Sequence, residues 1–249
     1  MGDPNAPTQG KRIEQRFSPD IMQLKHNRRR VDRMDVWIDL AGKTERKAHH
    51  VRFVLLWIAY EAAYAYTPKS GGAPSGRAGE PHFLRNVSKM NRKELQSVLR
   101  AHRETIDSLL ELRWANQCFW FKTGMENVKT AKQWEHEFKK HVRLAKNDLA
   151  RAVDAGDSLF ISKALKRLFD ILHVVRNQIV HGASAGENSL GVTQVRAGAQ
   201  VLDALVPCFR KTIDNNIKSE LWRTPPFPHV DVHVVPDQDY PPPWLPPEN

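Results

Sequence analysis

Hydrophobic residues recur at helical spacing along most of this chain, and the pattern predicts an all-α fold. Glycine, proline and polar clusters divide the pattern into five or six helices of one domain. The predicted helices cover residues 19–41, 45–66, 91–121, 126–153, 158–181 and 192–217. We expect the first helix to be capped by Gly42 and the fourth to end at Gly156, because glycine readily adopts the left-handed cap conformation.

The second predicted helix is the most apolar, and its centre, FVLLWIAYEAAYAY, is apolar on nearly every side (residues 53–66). We therefore predict that it is the central buried helix of the bundle. In contrast, Pro68–Pro81 has the composition of a flexible loop. Proline is frequent after Thr224 and excludes a helix there, and Val230–Val235 is the one short stretch with a strand-like pattern.

These boundaries suggest three regions, and 249 residues are enough to bury a full core. We predict an N-terminal extension with a basic helix (1–44), a helical domain (45–218) and a proline-rich tail (219–249). The tail contains PPPWLPP, which could dock on a partner or fold back on the domain, and the sequence leaves both open.

The chain is strongly basic, with 38 Lys and Arg against 28 Asp and Glu and a formal charge of +10. Such a balance favours a polyanionic partner such as RNA or DNA, although solvated lysines alone can produce it. Within the first helix, Arg28, Arg29 and Arg30 could contact an RNA backbone. The alternative is a solvated helix face.

The cysteine content and the length of the apolar runs indicate the cellular compartment. Only Cys118 and Cys208 are present, which excludes a disulfide framework and a CxxC metal clip. The opening MGDPNAPTQGKR lacks the apolar core of a signal peptide, and Phe53–Tyr66 is too short to span a bilayer. We expect a soluble, cytoplasmic protein with no membrane partner.

The stretch ILHVVRNQIVHG (171–182) contains the candidate catalytic residues. Arg176 and His181 place a cation and an imidazole close together, which is what metal-free phosphodiester cleavage requires. The R-x4-6-H spacing alone is weak, because three other Arg–His pairs match it: Arg77 with His82, Arg167 with His173, and Arg223 with His229.

Helical geometry gives the motif its context. The predicted core stripe of its helix consists of Ile161, Leu165, Leu168, Leu172, Val175 and Ile179. Arg176 lies about 60° from that stripe, beside Phe169, His173 and Val180, where it needs an anionic partner.

On an unbroken helix His181 would point about 140° away from Arg176. The two converge if the helix ends near Val180 with Gly182 in the left-handed conformation, or if they meet across a dimer. The alternative interpretation makes Arg176 a core ion-pair residue and His181 a helix cap favoured by the dipole.

The motif resembles that of HEPN domains, an all-helical family rich in ribonucleases of toxins and antiviral defence. The resemblance covers roughly residues 47–217: the apolar helix RFVLLWIAYEAAY looks like that of Apea-like HEPN proteins, and the helix order is similar. Only RNQIVHG is specific, with Asn177 as the commonest family residue after the arginine. Residues 1–44 and the tail have no counterpart.

The resemblance implies a HEPN-like helical bundle that acts as a metal-independent endoribonuclease without a cofactor. Arg176 would stabilise the phosphate, His181 would transfer protons, and Asn177 would position one of them. The products would be a 2′,3′-cyclic phosphate and a 5′-hydroxyl. The implied partners are RNA, a second copy in a homodimer with a composite active site, and an antitoxin or regulatory protein.

Two other classes remain open: an inactive HEPN dimer that binds a nucleotide, RNA or a protein, and a purely structural helical protein. Glu61, the one charge in its apolar stretch, is expected to pair with Arg176 and to orient it for phosphate. Its alternatives are an ordinary buried salt bridge and a hydrogen bond to a buried tyrosine.

Other candidate residues have weaker support. His229, Asp231 and His233 alternate as metal ligands on a strand would, but no fourth ligand is evident. Trp114, Trp120 and Trp134 are expected to be core or interface aromatics rather than base-stacking residues. Walker-loop nucleotide hydrolysis and zinc protease chemistry have no support, since neither motif is present in the sequence.

Overall fold

The structure is a computed structural model that describes residues 19–66, 77–120, 128–182 and 191–225. These residues are all-α, as predicted, with nine α-helices in place of the five or six expected and no strand among them. The helices are α1 (Pro19–Lys43), α2 (His49–Tyr64), α3 (Glu80–Met90), α4 (Arg92–Ala101), α5 (Arg103–Glu111), α6 (Gln117–Trp120), α7 (Ala131–Ala155), α8 (Ser158–Val180) and α9 (Val192–Asn215). Two 3-10 turns, Arg77–Gly79 and Arg113–Ala115, precede α3 and α6.

Helix α2 lies at the centre of the bundle, which confirms the prediction from its composition. It packs most extensively against α1 and α9. Its core residues are Phe53, Leu56, Trp57, Ala59, Tyr60 and Ala63, each at most 2 % exposed. Burial of each large side chain contributes about 1.5–3 kcal/mol, so this helix organises much of the core.

Helix α1 joins the same core through Val31, Met34 and Ala41, although we predicted it as an extension. The predicted cap at Gly42 is wrong, because α1 continues to Lys43 and Gly42 lies in its last turn. A positive φ, which a left-handed cap requires, occurs among the described glycines only at Gly156, Gly182 and Gly191.

Polar side chains on one face of α1 hold the segment that follows α9. Gln23 donates to the backbone oxygen of Trp222 at 2.6 Å, and Asn27 donates to that of Ile217 at 2.6 Å. The Trp222 side chain is 2 % exposed and belongs to the core. The chain therefore remains part of the bundle beyond residue 218, whereas residues 226–249, including Val230–Val235, lie outside the described part.

The single long helix predicted over 91–121 is wrong. The chain forms α4, α5, a 3-10 turn and α6 there, and the first break falls at His102 (φ −107°, ψ 17°). A straight helix over α4 and α5 would be about 30 Å long. The break allows both short helices to bury their apolar faces against α7 and α9, and no Gly or Pro marks it in the sequence.

Helix α3 was not predicted. It begins at Glu80, inside the stretch expected to be a loop, and Pro81 occupies its first turn, where a missing N–H costs nothing. Phe83, Leu84 and Val87 of α3 are buried. Residues 67–76 of the predicted loop lie outside the described residues.

Helices α7, α8 and α9 match their predictions most closely. Thr130 and Gln133 form a capping box at the start of α7, and Gly156 ends it in the left-handed conformation (φ 62°), as predicted. The core stripe of α8 is also confirmed: Ile161, Leu165, Leu168, Leu172 and Val175 are fully buried, and Ile179 packs partly buried against the core. In the described part of the chain, no helix has the length and apolar character needed to cross a membrane.

The close approach of α9 to α2 and α8 depends on Gly198. A Cβ there would lie 2.7 Å from Phe53 Cε2 and 3.1 Å from Leu172 Cδ2, both in the buried core. We expect Gly198→Ala to lower the free energy of unfolding by about 1–3 kcal/mol through overpacking, measured by urea denaturation. Gly42→Ala is the control: nothing lies within 4 Å of its Cβ, and alanine favours helix, so stability should rise by about 0.5–1 kcal/mol. A neutral Gly198→Ala would contradict this helix packing.

Candidate functional site

The end of α8 has the conformation on which the motif depends. The helix ends at Val180, His181 is its C-cap (φ −90°, ψ 9°), and Gly182 adopts the predicted left-handed conformation (φ 73°). The backbone N–H of His181 donates to Asn177 O at 2.9 Å, and that of Gly182 to Ile179 O at 3.1 Å. The His181 side chain is therefore presented at an exposed helix terminus.

Arg176 lies partly exposed one turn before this terminus. Its Nη1 donates to Oδ1 of Asn177 at 3.2 Å. Among the described residues it forms no ion pair, so the interpretation of Arg176 as a core ion-pair residue receives no support.

The expected ion pair between Glu61 and Arg176 is not present. Glu61 instead accepts a hydrogen bond from Trp57 Nε1 at 2.8 Å. Trp57 lies one turn earlier on the same helix, so its indole reaches the carboxylate without a long-range contact. Glu61 is only partly buried, so solvent can also hydrogen-bond its carboxylate. There is therefore no direct contact through which Glu61 could orient Arg176.

Polar side chains of α8 form a stripe that leads to the motif. Lys166, Asp170, His173, Asn177 and His181 are spaced four, three, four and four residues apart, which keeps them within about 80° on a helix. The hydrogen bond to Asn177 brings the guanidinium of Arg176 towards this stripe. The motif thus continues a polar face that begins deeper in the bundle.

The buried part of this face is organised by Glu80, which is fully buried. Its carboxylate accepts from Tyr60 Oη at 2.8 Å and lies 3.0 Å from His173 Nε2 and 3.3 Å from Arg77 Nε. Asp170 pairs in turn with both Arg77 and Lys166. We name these six residues the Glu80 cluster: Tyr60, Arg77, Glu80, Lys166, Asp170 and His173.

The Glu80 cluster holds the carboxylate in its ionised form. Burial raises the pKa of Glu80, but the hydrogen bond and charge of His173, then Tyr60 and Arg77, lower it by more, so the net pKa is below the usual value. Burial, and after it the charge of Glu80, raises the pKa of Tyr60. Tyr60 is therefore the hydrogen-bond donor, and an ionised Glu80 favours a proton on Nε2 of His173.

An aromatic contact connects this cluster to Glu61. The Trp57 ring packs edge-on against the His173 ring, with centroids 4.5 Å apart, and its indole nitrogen donates to Glu61. Burial, then the charges of Glu61 and Glu80, raise the pKa of Tyr64, while Arg77 and Arg176 oppose the shift. Glu61 and Arg176 therefore both act electrostatically on Tyr64 without touching each other.

Sequence reasoning missed Glu80, because its carboxylate meets His173 across 93 positions of the chain. Two features of the sequence pointed to these residues. Glu80 precedes Pro81, which is typical of a helix start, and His173 follows Arg167 at the spacing of the motif. Arg167 itself forms an ion pair with Asp148 at 2.7 Å and does not contact His173.

The three arginines proposed to contact RNA separate in the structure. Arg28 and Arg29 are exposed, and Arg28 pairs with Asp214 at 2.9 Å. Arg30 is only 2 % exposed, because it shares the inward face of α1 with Asn27 and Val31, so it is removed from the proposed RNA surface. RNA contact at this face remains a prediction for Arg28 and Arg29.

The other sequence candidates contribute little to this site. Trp134 is partly buried and stacks on Phe138 at 5.1 Å, as expected of a packing aromatic. Trp114 donates to Gln194 Oε1 at 2.8 Å but is 47 % exposed, so it is not a core residue. The side chain of Trp120 lies outside the described part, as do His229, Asp231 and His233. No group of three or more His, Cys, Asp or Glu within the described ranges could hold a metal ion.

A cleft of about 250 Å³ borders the N-terminal part of the polar stripe of α8, at Asp170. Its lining includes Asn116, Cys118, His141, Arg167 and Asp170. None of the motif residues contributes to it, so the candidate chemistry lies at the exposed end of α8 and not in this cleft.

Comparison of the chain with known protein families, with curated proteins and with solved structures found no match.

Proposed function

We propose that this protein is a metal-independent endoribonuclease of the HEPN type, with its active centre at the end of α8. The observation that carries the proposal is the helix end at Val180 with Gly182 left-handed. It exposes His181 one turn beyond Arg176 and Asn177, whose side chains are hydrogen-bonded to each other. A cation, an amide and an imidazole at one exposed terminus suit a phosphodiester substrate.

In the proposed reaction the 2′-oxygen of RNA attacks the adjacent phosphorus, and the bond from phosphorus to the 5′-oxygen breaks. A base removes the 2′-hydroxyl proton and an acid protonates the leaving 5′-oxygen. His181 serves one of these roles, because an imidazole exchanges protons near neutral pH. Arg176 stabilises the additional negative charge on the phosphorane, and Asn177 holds the guanidinium in place.

In a homodimer two motifs would share one cleft, so that the histidine of one protomer acts as base and that of the other as acid. The exposed position of His181 at a helix terminus is compatible with such pooling. We propose that the enzyme acts in a toxin or antiviral-defence setting under an antitoxin or regulatory partner, as the HEPN resemblance implies. The basic charge of the chain supports RNA as the substrate.

The Glu80 cluster has a positioning role in this proposal. It ties α8 to α3 through the contact of His173 with Glu80, and Glu80 in turn binds Tyr60 of α2. His173 lies less than one turn before Arg176 and about two turns before His181. Because the cluster fixes the rotation of α8, it also fixes the direction in which Arg176 and Asn177 project. Glu61 acts with it through Trp57, which packs on His173.

The test is incubation of the purified protein with labelled single-stranded RNA and tRNA in EDTA. We expect products with 2′,3′-cyclic phosphate ends, and we expect His181→Ala to lower the cleavage rate about 10²- to 10⁴-fold, the usual contribution of acid–base catalysis. His136→Ala is the matched control, because His136 is an exposed histidine on α7. Sedimentation should show the same oligomeric state for all three proteins.

Two outcomes would contradict the proposal. Equal cleavage by the parent and His181→Ala would exclude this site as the source of the activity. No cleavage by a folded protein that binds RNA or a nucleotide through Arg176 would favour the alternative, an inactive binding dimer.

A further inference from the structure

Arg30 is a buried cation for which the described residues supply no carboxylate. It is 2 % exposed, and its Nη2 donates to two backbone oxygens, of Ala65 at 3.4 Å and of Arg223 at 2.5 Å. Its Nε is buried without a hydrogen-bond partner among the described residues. A guanidinium has five donor hydrogens, so two carbonyl contacts leave most of its capacity unused.

The surroundings of Arg30 increase its need for an anion. Burial, and then the charge of Arg33, lower the pKa of Arg30 to about 10, so it remains charged at neutral pH. An unpaired buried charge is strongly unfavourable, and proteins normally provide a counter-ion or a ligand for it. The charge that acts on the pKa of Arg30 is that of another cation, Arg33.

A small pocket opens beside Arg30 between α1, the start of α3 and the segment after α9. Tyr64, His82, Trp222 and Arg223 contribute to its lining, and no carboxylate of the described residues does. Burial, then the charges of Arg223, Arg85 and Lys89, lower the pKa of His82 on one side of the pocket. Arg223 is held over the Tyr66 ring at 4.3 Å.

The size of the pocket restricts what can enter it. Its free space is about 10 Å³, close to that needed for one water-sized atom. At most a single oxygen of an oxyanion can enter, and the rest of the anion would remain outside, on the side of the exposed Arg223. A bulky or apolar ligand does not fit.

We propose that this pocket is an oxyanion-binding site in which Arg30 binds one oxygen of a phosphate or carboxylate group, with Arg223 and His82 among the residues that line it. The site contains no residue of α8 and does not rest on the ribonuclease proposal. Two sources can supply the group: a phosphate from solution or a ligand, and a carboxylate of residues 226–249, which contain Asp231, Asp237, Asp239 and Glu248.

The test uses the full chain with inorganic phosphate as the probe, at constant ionic strength maintained with chloride. We expect saturable binding in calorimetry and a melting temperature that rises with phosphate concentration, because the ligand binds the folded state. Arg30→Met should abolish both effects, and Arg223→Gln should weaken binding about 10-fold or more, because it removes a charge-assisted contact. Arg85→Gln is the control: it removes an equal charge from the exposed face of α3, outside the pocket, and should change binding far less.

A second variant distinguishes the two sources, with Asp231, Asp237 and Asp239 replaced by Asn and Glu248 by Gln in the full chain. If phosphate binds only to this variant, the proposal holds and a carboxylate of the chain is the natural occupant. If it binds equally to the parent, the occupant comes from solution. Absence of Arg30-dependent binding in both proteins overturns the proposal. Because Arg223→Gln changes an exposed side chain, it keeps the test informative even if Arg30→Met fails to fold.

Discussion

Replacement of Arg176 by alanine is expected to lower the rate of RNA cleavage about 10²- to 10³-fold, the usual cost of losing one group that stabilises a developing oxyanion. The unfolding temperature should hardly change. The guanidinium makes one hydrogen bond, to the adjacent Asn177, and no ion pair with a described residue, so its removal leaves no buried carboxylate unpaired. Single-turnover cleavage and thermal denaturation of the same preparations measure the two quantities.

The controls separate charge from geometry. Arg176→Lys keeps the charge but loses the planar fork of donors, and should recover only part of the rate. Arg92→Ala removes an exposed arginine at the start of α4 and should cleave like the parent. If Arg176→Ala unfolds at a much lower temperature and cleaves normally when folded, Arg176 is a structural residue and the proposed mechanism fails.

Replacement of Glu80 by alanine is expected to lower the free energy of unfolding by about 3–5 kcal/mol, the range for removal of one partner from a buried ionic pair. Glu80 is fully buried and receives Tyr60 at 2.8 Å, His173 at 3.0 Å and Arg77 at 3.3 Å. Its loss leaves these polar groups without their acceptor inside the bundle. Urea denaturation at pH 7 measures the difference.

The control for Glu80 is an exposed glutamate in an ion pair. Glu111 pairs with Lys146 at 2.5 Å and its side chain is 59 % exposed, so Glu111→Gln should change stability by no more than about 1 kcal/mol. Glu80→Gln keeps the shape of the side chain and removes its charge. Its loss of unfolding free energy should lie between those of Glu80→Ala and Glu111→Gln. Equal effects of the Glu80 and Glu111 substitutions would show that the Glu80 cluster does not stabilise the fold.

The contribution of Glu80 should also depend on pH. Its pKa is lower in the folded state than in the unfolded chain, where a glutamate titrates near pH 4.3. The unfolded chain therefore binds more protons in this range, and the stabilisation, complete above about pH 4.3, is lost as the pH falls through the folded pKa. The difference in unfolding free energy between the parent and Glu80→Gln should accordingly decrease in acid.

The features that the sequence predicted well are those that neighbouring residues specify. The core stripe of α8 follows from apolar residues at helical spacing. The ends of α7 and α8 follow from Gly156 and Gly182, because glycine adopts the left-handed cap conformation without strain. The exposure of His181 at the helix terminus follows from the same local signal.

The features that the sequence did not predict depend on contacts between distant segments. The break at His102 allows α4 and α5 to bury separate faces, and no residue at the break marks it. Glu61 accepts a hydrogen bond from Trp57, one turn earlier on the same helix, and makes no contact with an arginine of α8.

Local sequence is sufficient to specify the all-α fold of the described residues and to place a cation, an amide and an imidazole at one helix end, because helix periodicity and glycine caps are local properties. Which charges are buried depends on how the helices pack. Arg28, Arg29 and Arg30 are identical in type and adjacent in the chain, but the segment after α9 covers Arg30 alone. Glu80 and His173 meet only after α3 packs on α8, because burial of a charge depends on what the rest of the chain places around it.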